Sequence, residues 1–338
     1  MTTSDQFPVL NTSDLLSVDD LSREEIEMLL ATAVQIKRDY RPLLQTFAGR
    51  SMVMLFEKPS LRTRLSFEIG FAKLGGHPVY VDAQSAGGRI GQRESIEDVA
   101  KNLERFCDVI VARTFSHETV EQLAAHANVP VINALSDRFH PCQALADVLT
   151  IAEHFPARTF RDLSICYIGD GNNVCHSLMH AAALLGARMT VITPKGYEPA
   201  ADVIDNAKRH ATISGTTLAV SNDLDAAAGH DVIYTDTWVS MGAEAEAEQR
   251  LKIFAPYQVT PRVISAAGPE SIFMHCLPAY RDKEVAAEVI DGPQSVVFDQ
   301  AENRMHAQNA LLLHLLAPCD NADQAKSQAW PDVIGSRA

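Results

Sequence analysis

The chain is predicted to be α/β: two doubly wound domains with mostly parallel sheets, joined by a long helix, with a C-terminal helix packing back on the first domain. Three observations predict it. At 338 residues the chain exceeds what one hydrophobic core usually serves. Short apolar runs alternate with helical stretches, once in each half, as crossover-connected parallel strands require. A hydrophobic content of 46% with 21% charged residues is that of an ordinary globular protein.

The elements follow in order. Ser22 to Tyr40 is an amphipathic helix. Strand-like runs occur at Ser51–Phe56, Val79–Val81, Val109–Ala112 and Val129–Asn133, with helices at about 62–75, 95–106 and 117–127. In the first of these helices Leu65, Ile69, Ala72 and Leu74 share a side. A long helix from Cys142 to Phe155 puts Leu145, Val148, Leu149 and Ala152 on one side, and Pro156-Ala157-Arg158 reads as a domain joint. The second half repeats the alternation, with strands at Ser164–Ile168, Met189–Ile192, Val232–Thr235, Ser271–His275 and Val296–Phe298. A last helix spans Ala301 to Leu316, Pro318 ends it, and Cys319 to Ala338 is polar and aperiodic. The expected division is residues 1–152, residues 153–317 with the helix 301–317 returning to the first domain, and a disordered tail at 318–338.

Charge and composition exclude several function classes. A net charge of −14 argues against a nucleic-acid or anionic-membrane partner. Met1 to Leu10 lacks the features of a signal or transit peptide, and no apolar run approaches the roughly 20 residues that span a bilayer. Cys107, Cys142, Cys166, Cys175, Cys276 and Cys319 form no Cys-x-x-Cys pair. They read as free thiols of a reducing compartment, so a cytoplasmic location is expected.

The most informative segment is Ser60-Leu61-Arg62-Thr63-Arg64, between the strand ending at Phe56 and a helix. It sets two hydroxyls and two guanidiniums at a helix N-terminus, where free N–H groups and the positive dipole end favour an anion. Alternate arginines add fork-shaped donors suited to phosphate. In so acidic a chain this local cation cluster points to a small phosphorylated substrate.

Other clusters fall at strand or helix ends. His140 and Gln143 flank Pro141 at the start of the long helix. Their spacing suits convergence on one ligand, although capping and packing explain such a segment equally well. Arg113 follows a strand, where ligands bind in parallel sheets. Gly169-Asp170-Gly171-Asn172-Asn173-Val174 resembles a dinucleotide fingerprint but has Val174 in place of the third glycine. It also lacks an acid after the next strand, which ends Thr193-Pro194-Lys195, and this weakens a nicotinamide-binding reading. Asp236 and Ser240 lie four apart after a strand, placed to hold an ammonium or simply to cap a turn. His275-Cys276-Leu277-Pro278 ends another strand, and its Leu277–Pro278 bond is a candidate for the cis form. A lone Cys such as Cys276 is more often packing than nucleophile. Arg304 follows Glu302-Asn303 near the start of the last helix. Four clusters at strand carboxyl ends converge on one cleft between two α/β domains.

Taken together these motifs resemble the aspartate/ornithine carbamoyltransferase family, in the expected order from residue 8 to 317. Ser60–Arg64 is similar to its carbamoyl-phosphate motif and His140-Pro141-Cys142-Gln143 to its second substrate motif, with the Cys typical of the ornithine branch. Asp236 to Gly242 and His275 to Pro278 resemble its ornithine loop and catalytic-cysteine loop. The resemblance implies that Ser60, Leu61, Arg62 and Thr63 bind phosphate and that Arg64 supports the pocket. It implies that Arg113, His140 and Gln143 hold the carbamoyl group, that Cys276 and Leu277 line the reaction centre, and that Arg304 completes the carbamoyl-phosphate site. Asn173, Asp236, Ser240 and Met241 would bind L-ornithine.

The activity so implied transfers the carbamoyl group of carbamoyl phosphate to the side-chain amine of ornithine, within arginine biosynthesis, with putrescine or an N-acylated ornithine as alternative acceptors. No metal or redox cofactor is expected, and the partners are the two substrates. The family's homotrimer implies that the loop from Gly87 to Glu94 reaches a neighbour, so that Arg93 acts in trans. Leu61 replaces the threonine of many members, and Arg89 stands where some carry glutamine. A ligand-sensing protein on the same fold is the competing class.

Overall fold

The computed structural model describes residues 7–83, 88–239 and 244–316. Ser240, Met241, Gly87, residue 317 and the tail 318–338, each given a role or a state by the sequence, lie outside the described residues.

Local sequence sets the limits of each element. Helix α1 (Arg23–Arg38) opens on a reciprocal cap: Ser22 Oγ accepts the Glu25 N–H at 3.2 Å, and Glu25 Oε2 accepts the Ser22 N–H at 2.8 Å. Strand β1 (Ser51–Phe56) is buried from Met52 onward, which is why it reads as an unbroken apolar run. Helix α2 (Leu61–Lys73), β2 (His77–Asp82), α3 (Ile96–Leu103), β3 (Val109–Arg113), α4 (His117–His126) and β4 (Val131–Leu135) complete the first unit. Its sheet is parallel, in the order β2-β1-β3-β4. Helix α5 (Pro141–His154), with Pro141 in its first turn, is buried from Pro141 to Ile151 and leads into the second unit.

The second unit comprises β5 (Ser164–Ile168), α6 (Asn173–Leu185), β6 (Arg188–Ile192), α7 (Ala201–Ser214), β7 (Leu218–Ser221) and β8 (Val232–Thr235). It continues through α8 (Ala247–Phe254), α9 (Pro261–Ala267), β9 (Ile272–His275) and α10 (Ala287–Ile290). Its parallel sheet runs β7-β6-β5-β8-β9. Helix α11 (Val297–Leu315) then packs against α5, α1 and α2, so the chain returns to its first unit as the sequence predicts. Leu311 and Leu312 of α11 join Phe67, Phe71, Leu145 and Leu149 in one core, each such side chain contributing roughly 1.5–3 kcal/mol of burial.

Strand order places the site. In the first sheet β2 and β3 flank β1 on opposite sides, so the crossover direction reverses between β1 and β3. In the second sheet the reversal falls between β5 and β8. Each reversal opens a crevice at the carboxyl ends of the strands. Ser60 follows β1 and Arg113 ends β3, while Gly169–Asn173 follows β5 and Asp236 follows β8.

Three local expectations are corrected. Val296–Phe298 is not a strand: Ser295 makes a single bridge to Phe273, and α11 then starts at Val297. The run is too short for apolar periodicity to tell strand from helix entry. Strand β7 was missed because it is an edge strand, paired to β6 alone and half-exposed, with only the short run Leu218-Ala219-Val220 to mark it. The stripe of Leu65, Ile69 and Ala72 on α2 faces outward, and the helix buries Thr63, Ser66, Phe67, Gly70 and Phe71 instead. The aromatic pair settles the choice of face, since Phe71 stacks on Phe47 at 4.8 Å.

At Gly171 an added Cβ would stand 2.2 Å from the Pro199 nitrogen and 2.5 Å from the Glu198 carbonyl carbon. Gly171→Ala is therefore expected to cost about 1–3 kcal/mol of stability, read as a lowered thermal midpoint. An unshifted midpoint would mean that the 198–199 turn yields freely.

Candidate active site

The two crevices open into one cavity of about 450 Å³. Its lining includes Lys58, Ser60, Leu61, Arg62, Thr63, Arg113, His140, Gln143, Asn173, Asp236, Cys276, Leu277 and Arg304. Every described residue to which the sequence assigned a substrate role is there, with one exception. Arg64 points out of the cavity, pairing with Glu68 at 2.8 Å and lying over the Tyr80 ring at 4.1 Å. It is two positions from Arg62 on a helix, and such residues do not share a face. Arg64 therefore does not line the cavity, and any support it lends comes through Glu68 and Tyr80. Arg93, given a role in trans, is exposed and does not line this cavity.

Ser60 caps α2, accepting the Thr63 N–H at 3.3 Å and donating its hydroxyl to Thr63 Oγ1 at 3.0 Å. The Leu61 and Arg62 N–H groups, in the first turn, have no intrahelical acceptor. Leu61 places its side chain in solvent, 72% exposed, so its backbone is what it offers the site. The turn is held from behind by Glu57, whose carboxylate accepts the Phe115 N–H at 2.7 Å and the Ile90 N–H at 2.9 Å.

Three guanidiniums meet in the cavity from three elements: Arg62 of α2, Arg113 of β3 and Arg304 of α11. Among the described residues none of them forms a salt bridge. Burial and the charges of Arg304 and Arg62 push Arg113 down to about 9. Burial likewise lowers Arg62 and Arg304. Arg304 is oriented by two contacts: Nη1 donates to Gln143 Oε1 at 2.6 Å and Nη2 to Thr63 Oγ1 at 3.2 Å. Such a cluster awaits an anion with several acceptor oxygens.

His140 is the residue before α5, and its N–H donates to Ser177 Oγ at 2.8 Å, which ties the helix start to α6. Among the described residues no group pairs with its Nδ1. Burial, then the charges of Arg304, Arg113 and Arg62, hold its pKa well below the usual imidazole value. The ring is thus neutral, with one N–H and one free lone pair.

The other wall is built on Asp236. Its carboxylate accepts from Asn172 Nδ2 at 2.7 Å, from the Thr237 N–H at 2.7 Å and from the Cys276 thiol at 3.0 Å. Burial, then the Asp236 charge, push the Cys276 thiol well above its ordinary pKa, so it stands as a neutral donor. Leu277 has φ +57°, donates its N–H to His275 Nδ1 at 2.9 Å, and the Leu277–Pro278 bond is cis. Asn173 donates to the Ser136 carbonyl at 2.6 Å and so links the units rather than pointing freely into the cavity. Atoms of Asp236, His275 and Cys276 lie within 4.8 Å of one another. A cation there would break the Cys276–Asp236 and Leu277–His275 bonds.

Several residues escaped the sequence. Asn172 caps α6, accepting the Val174 and Cys175 N–H groups at 3.0 and 3.1 Å while orienting Asp236. Its place after Asp170-Gly171 marked a cap but not a partner for Asp236. Arg250 is buried, donates to the Trp238 carbonyl at 2.7 Å and pairs with Asp170, fixing the chain beyond Asp236. Lys58, nearly buried, lies 4.5 Å from the Phe115 ring centroid. The five described cysteines are free, as expected, and Cys319 lies outside the described residues.

Comparison with known proteins gives concordant matches. The model of the "Aspartate/ornithine carbamoyltransferase, carbamoyl-P binding domain" matches residues 13–153, and that of the "Asp/Orn binding domain" matches residues 161–315. The ornithine carbamoyltransferase of Vibrio sp. (strain 2693) is 50% identical over 303 residues, 90% of this chain and 99% of the relative. That of Shewanella oneidensis is 51% identical over 302 residues, 89% of this chain and 99% of the relative. Among solved structures, ornithine carbamoyltransferase from Pyrococcus furiosus superposes with a TM-score of 0.83 at 49% identity, covering 88% of this chain and 95% of that one.

His140 supplies a test of the site's electrostatics. In the unfolded chain the imidazole takes up a proton below about 6.5, whereas the folded one does not, so this residue weakens the fold as pH falls through that value. Its ring resonances, assigned by comparison with His140→Asn, are expected to stay those of neutral imidazole from about pH 8 down to about pH 6. A titration midpoint near 6.5 would show that the arginines do not act on it.

Proposed function

The chain belongs to the aspartate/ornithine carbamoyltransferase family, and from that premise we infer that it transfers the carbamoyl group of carbamoyl phosphate to the side-chain amine of L-ornithine, giving L-citrulline and phosphate. The observation that carries this reading is the cluster of Arg62, Arg113 and Arg304 at the paired strand-end crevices, beside the Asp236–Cys276 pair.

The residues divide the work. Ser60, Thr63, Arg62 and the backbone at Leu61 receive the phosphate. Arg113 and a neutral His140 donate to the carbonyl oxygen, where negative charge grows as the amine attacks. Gln143 and Leu277 hold the rest of the carbamoyl group, and Arg304 spans its two ends through Thr63 and Gln143. The ornithine ammonium, with a reference pKa of about 10.4, must shed a proton before its nitrogen can attack. Asp236 attracts that group, and the neutral thiol of Cys276 donates to its carboxylate and holds it in place. With that first proton released to solvent, the new C–N bond forms as the carbonyl carbon's bond to the bridging oxygen breaks, and phosphate leaves with that electron pair into the arginine cluster, taking up the second proton that the nitrogen sheds. Most of the remaining acceleration comes from holding both substrates in line. Asn173, Ser240 and Met241 are proposed to take the amino-acid end of ornithine.

The proposal extends to organisation. The carbamoyl-phosphate domain is taken as 1–152 and the ornithine domain as 153–317, and the chain is placed in arginine biosynthesis in the cytoplasm. Among the described residues no helix is long and apolar enough to cross a membrane.

A steady-state assay offering carbamoyl phosphate with ornithine, putrescine or N-acetylornithine tests the acceptor. Ornithine is expected to give the highest kcat/KM. A preference for putrescine or the acylated amine would overturn the assignment, and tight binding of carbamoyl phosphate without turnover would favour a sensor.

The working assembly is proposed to be a homotrimer in which Arg93 serves a neighbour's site. The outward face of α2 supports it: Leu61, Leu65 and Ile69 are exposed together beside the cavity mouth, and such patches mark interfaces. Leu65→Glu with Ile69→Glu is expected to shift the sedimenting species from trimer to monomer, with loss of activity. A parent chain that sediments as a monomer at full activity would overturn the trimer.

A further inference from the structure

Beneath the cavity floor lies a carboxylate that the mechanism above does not use. Asp147 is wholly buried on α5, one turn after Gln143. Its Oδ1 accepts Gln143 Nε2 at 2.8 Å and Gln300 Nε2 at 2.7 Å. Gln300, on α11, accepts the His275 N–H at its own Oε1 at 2.9 Å, just before Cys276. One carboxylate therefore touches α5 and α11 and, through Gln300, the end of β9.

A glutamine amide has a donor end and an acceptor end, and their exchange leaves its shape almost unchanged. At Gln143 the exchange matters. Asp147 engages the NH₂ end, so Oε1 must face Arg304 Nη1, which it meets at 2.6 Å. An acceptor oxygen with a second lone pair then stands at the cavity wall. Turned the other way, the NH₂ would confront the Arg304 guanidinium, donor against donor. It would also repel any substrate group that donates.

We propose that Asp147 is a positioning residue that locks the Gln143 amide with its carbonyl toward the substrate. The site thereby reads the amino group of the carbamoyl moiety and discriminates against acyl phosphates that carry a methyl in its place. The inference rests on Gln143 touching the carbamoyl group, as in the function proposed above. The chemistry supports a lock of this kind: a site built around a hydrogen bond rejects analogues that cannot make it, because its own polar group is left unpaired. Burial pushes Asp147 up to about 7. Either protonation state keeps an acceptor oxygen for Gln143, so the lock does not depend on the charge.

The test compares carbamoyl phosphate with acetyl phosphate, which differs only by NH₂ for CH₃. Asp147→Leu, which keeps the branching but removes the acceptors, is expected to raise KM for carbamoyl phosphate about tenfold, the loss of one well-made hydrogen bond, while the Ki of acetyl phosphate moves less than about threefold. Asp147→Asn keeps the acceptor and should restore KM to within about threefold of the parent. In a Gln143→Leu background, Asp147→Leu should have no further effect on KM, because the two act through one contact. If D147L is recovered unfolded, Asp147→Ser gives the same readout with a smaller side chain. Equal losses for both phosphates, or additive effects of the two substitutions, would overturn the lock and leave Asp147 a purely structural group. An unchanged KM in Gln143→Leu alone would instead remove Gln143 from the carbamoyl site, a failure of the functional reading rather than of the lock.

Discussion

The structure depends on an electrostatic conflict: three guanidiniums, two buried and one half-buried, held together without a salt bridge among the described residues. The chain carries a net charge of −14, so acids are plentiful, yet among the described residues none forms a salt bridge with Arg62, Arg113 or Arg304. Burial and, after it, the like charges of Arg304 and Arg62 disfavour the charged form of Arg113, and its lowered pKa records both. The fold holds the three apart in sequence and together in space. Arg62 rides on a capped helix start, Arg113 on a central strand, and Arg304 on α11, whose packing against α1, α2 and α5 resists any outward drift. An anion placed among the three would relieve the conflict, and the fold fixes their geometry in advance.

The same restraint shapes the other wall. A thiol beside a carboxylate invites reading as an activated nucleophile, but the physics runs the other way. Burial and the charge of Asp236 both disfavour a thiolate at Cys276, and the 3.0 Å contact is that of a neutral donor to an anion. Neutral Cys276 and neutral His140 thus bracket the reaction centre, with fixed cations on one side and one fixed anion on the other. Polarity is separated across the cavity: positive at the arginine cluster, negative at Asp236.

Much of this was legible in the sequence because its causes are local. Ser51–Phe56, Ser164–Ile168 and Val232–Thr235 are central parallel strands, and the burial of both faces writes them as apolar runs with clear ends. Site residues at those ends inherit that clarity, as do Pro141 and the Ser60 cap. What was not legible depends on partners distant in the chain. Arg64 looks like Arg62 until helical phase sends it to Tyr80. The stripe of Leu65 and Ile69 reads as a core face until Phe67 and Phe71 claim the interior. Asn172 shows itself as a cap, but its bond to Asp236 spans 64 residues. Val296–Phe298 and β7 failed for a plainer reason, since neither contains enough periodic residues to outweigh its context.

Asp147 sharpens that distinction. It was visible in the sequence as a lone acid amid Ala144, Leu145, Ala146, Val148 and Leu149, on a helix otherwise fit for the interior. Burying it uncompensated would be costly, so the fold had to supply donors, and Gln143 and Gln300 are those donors. Once supplied, they constrain more than the acid. Gln143 loses the freedom to turn its amide, and Gln300 ties α11 to the strand that ends at His275. A polar residue placed where apolar ones would pack more simply thus converts a stability liability into orientation, and orientation is what the arginine cluster alone cannot provide. The guanidiniums attract phosphate in any rotation about its own axis. Under the proposed function, the locked amide would distinguish the two ends of the carbamoyl group and so set which face of its carbonyl carbon meets an amine at Asp236.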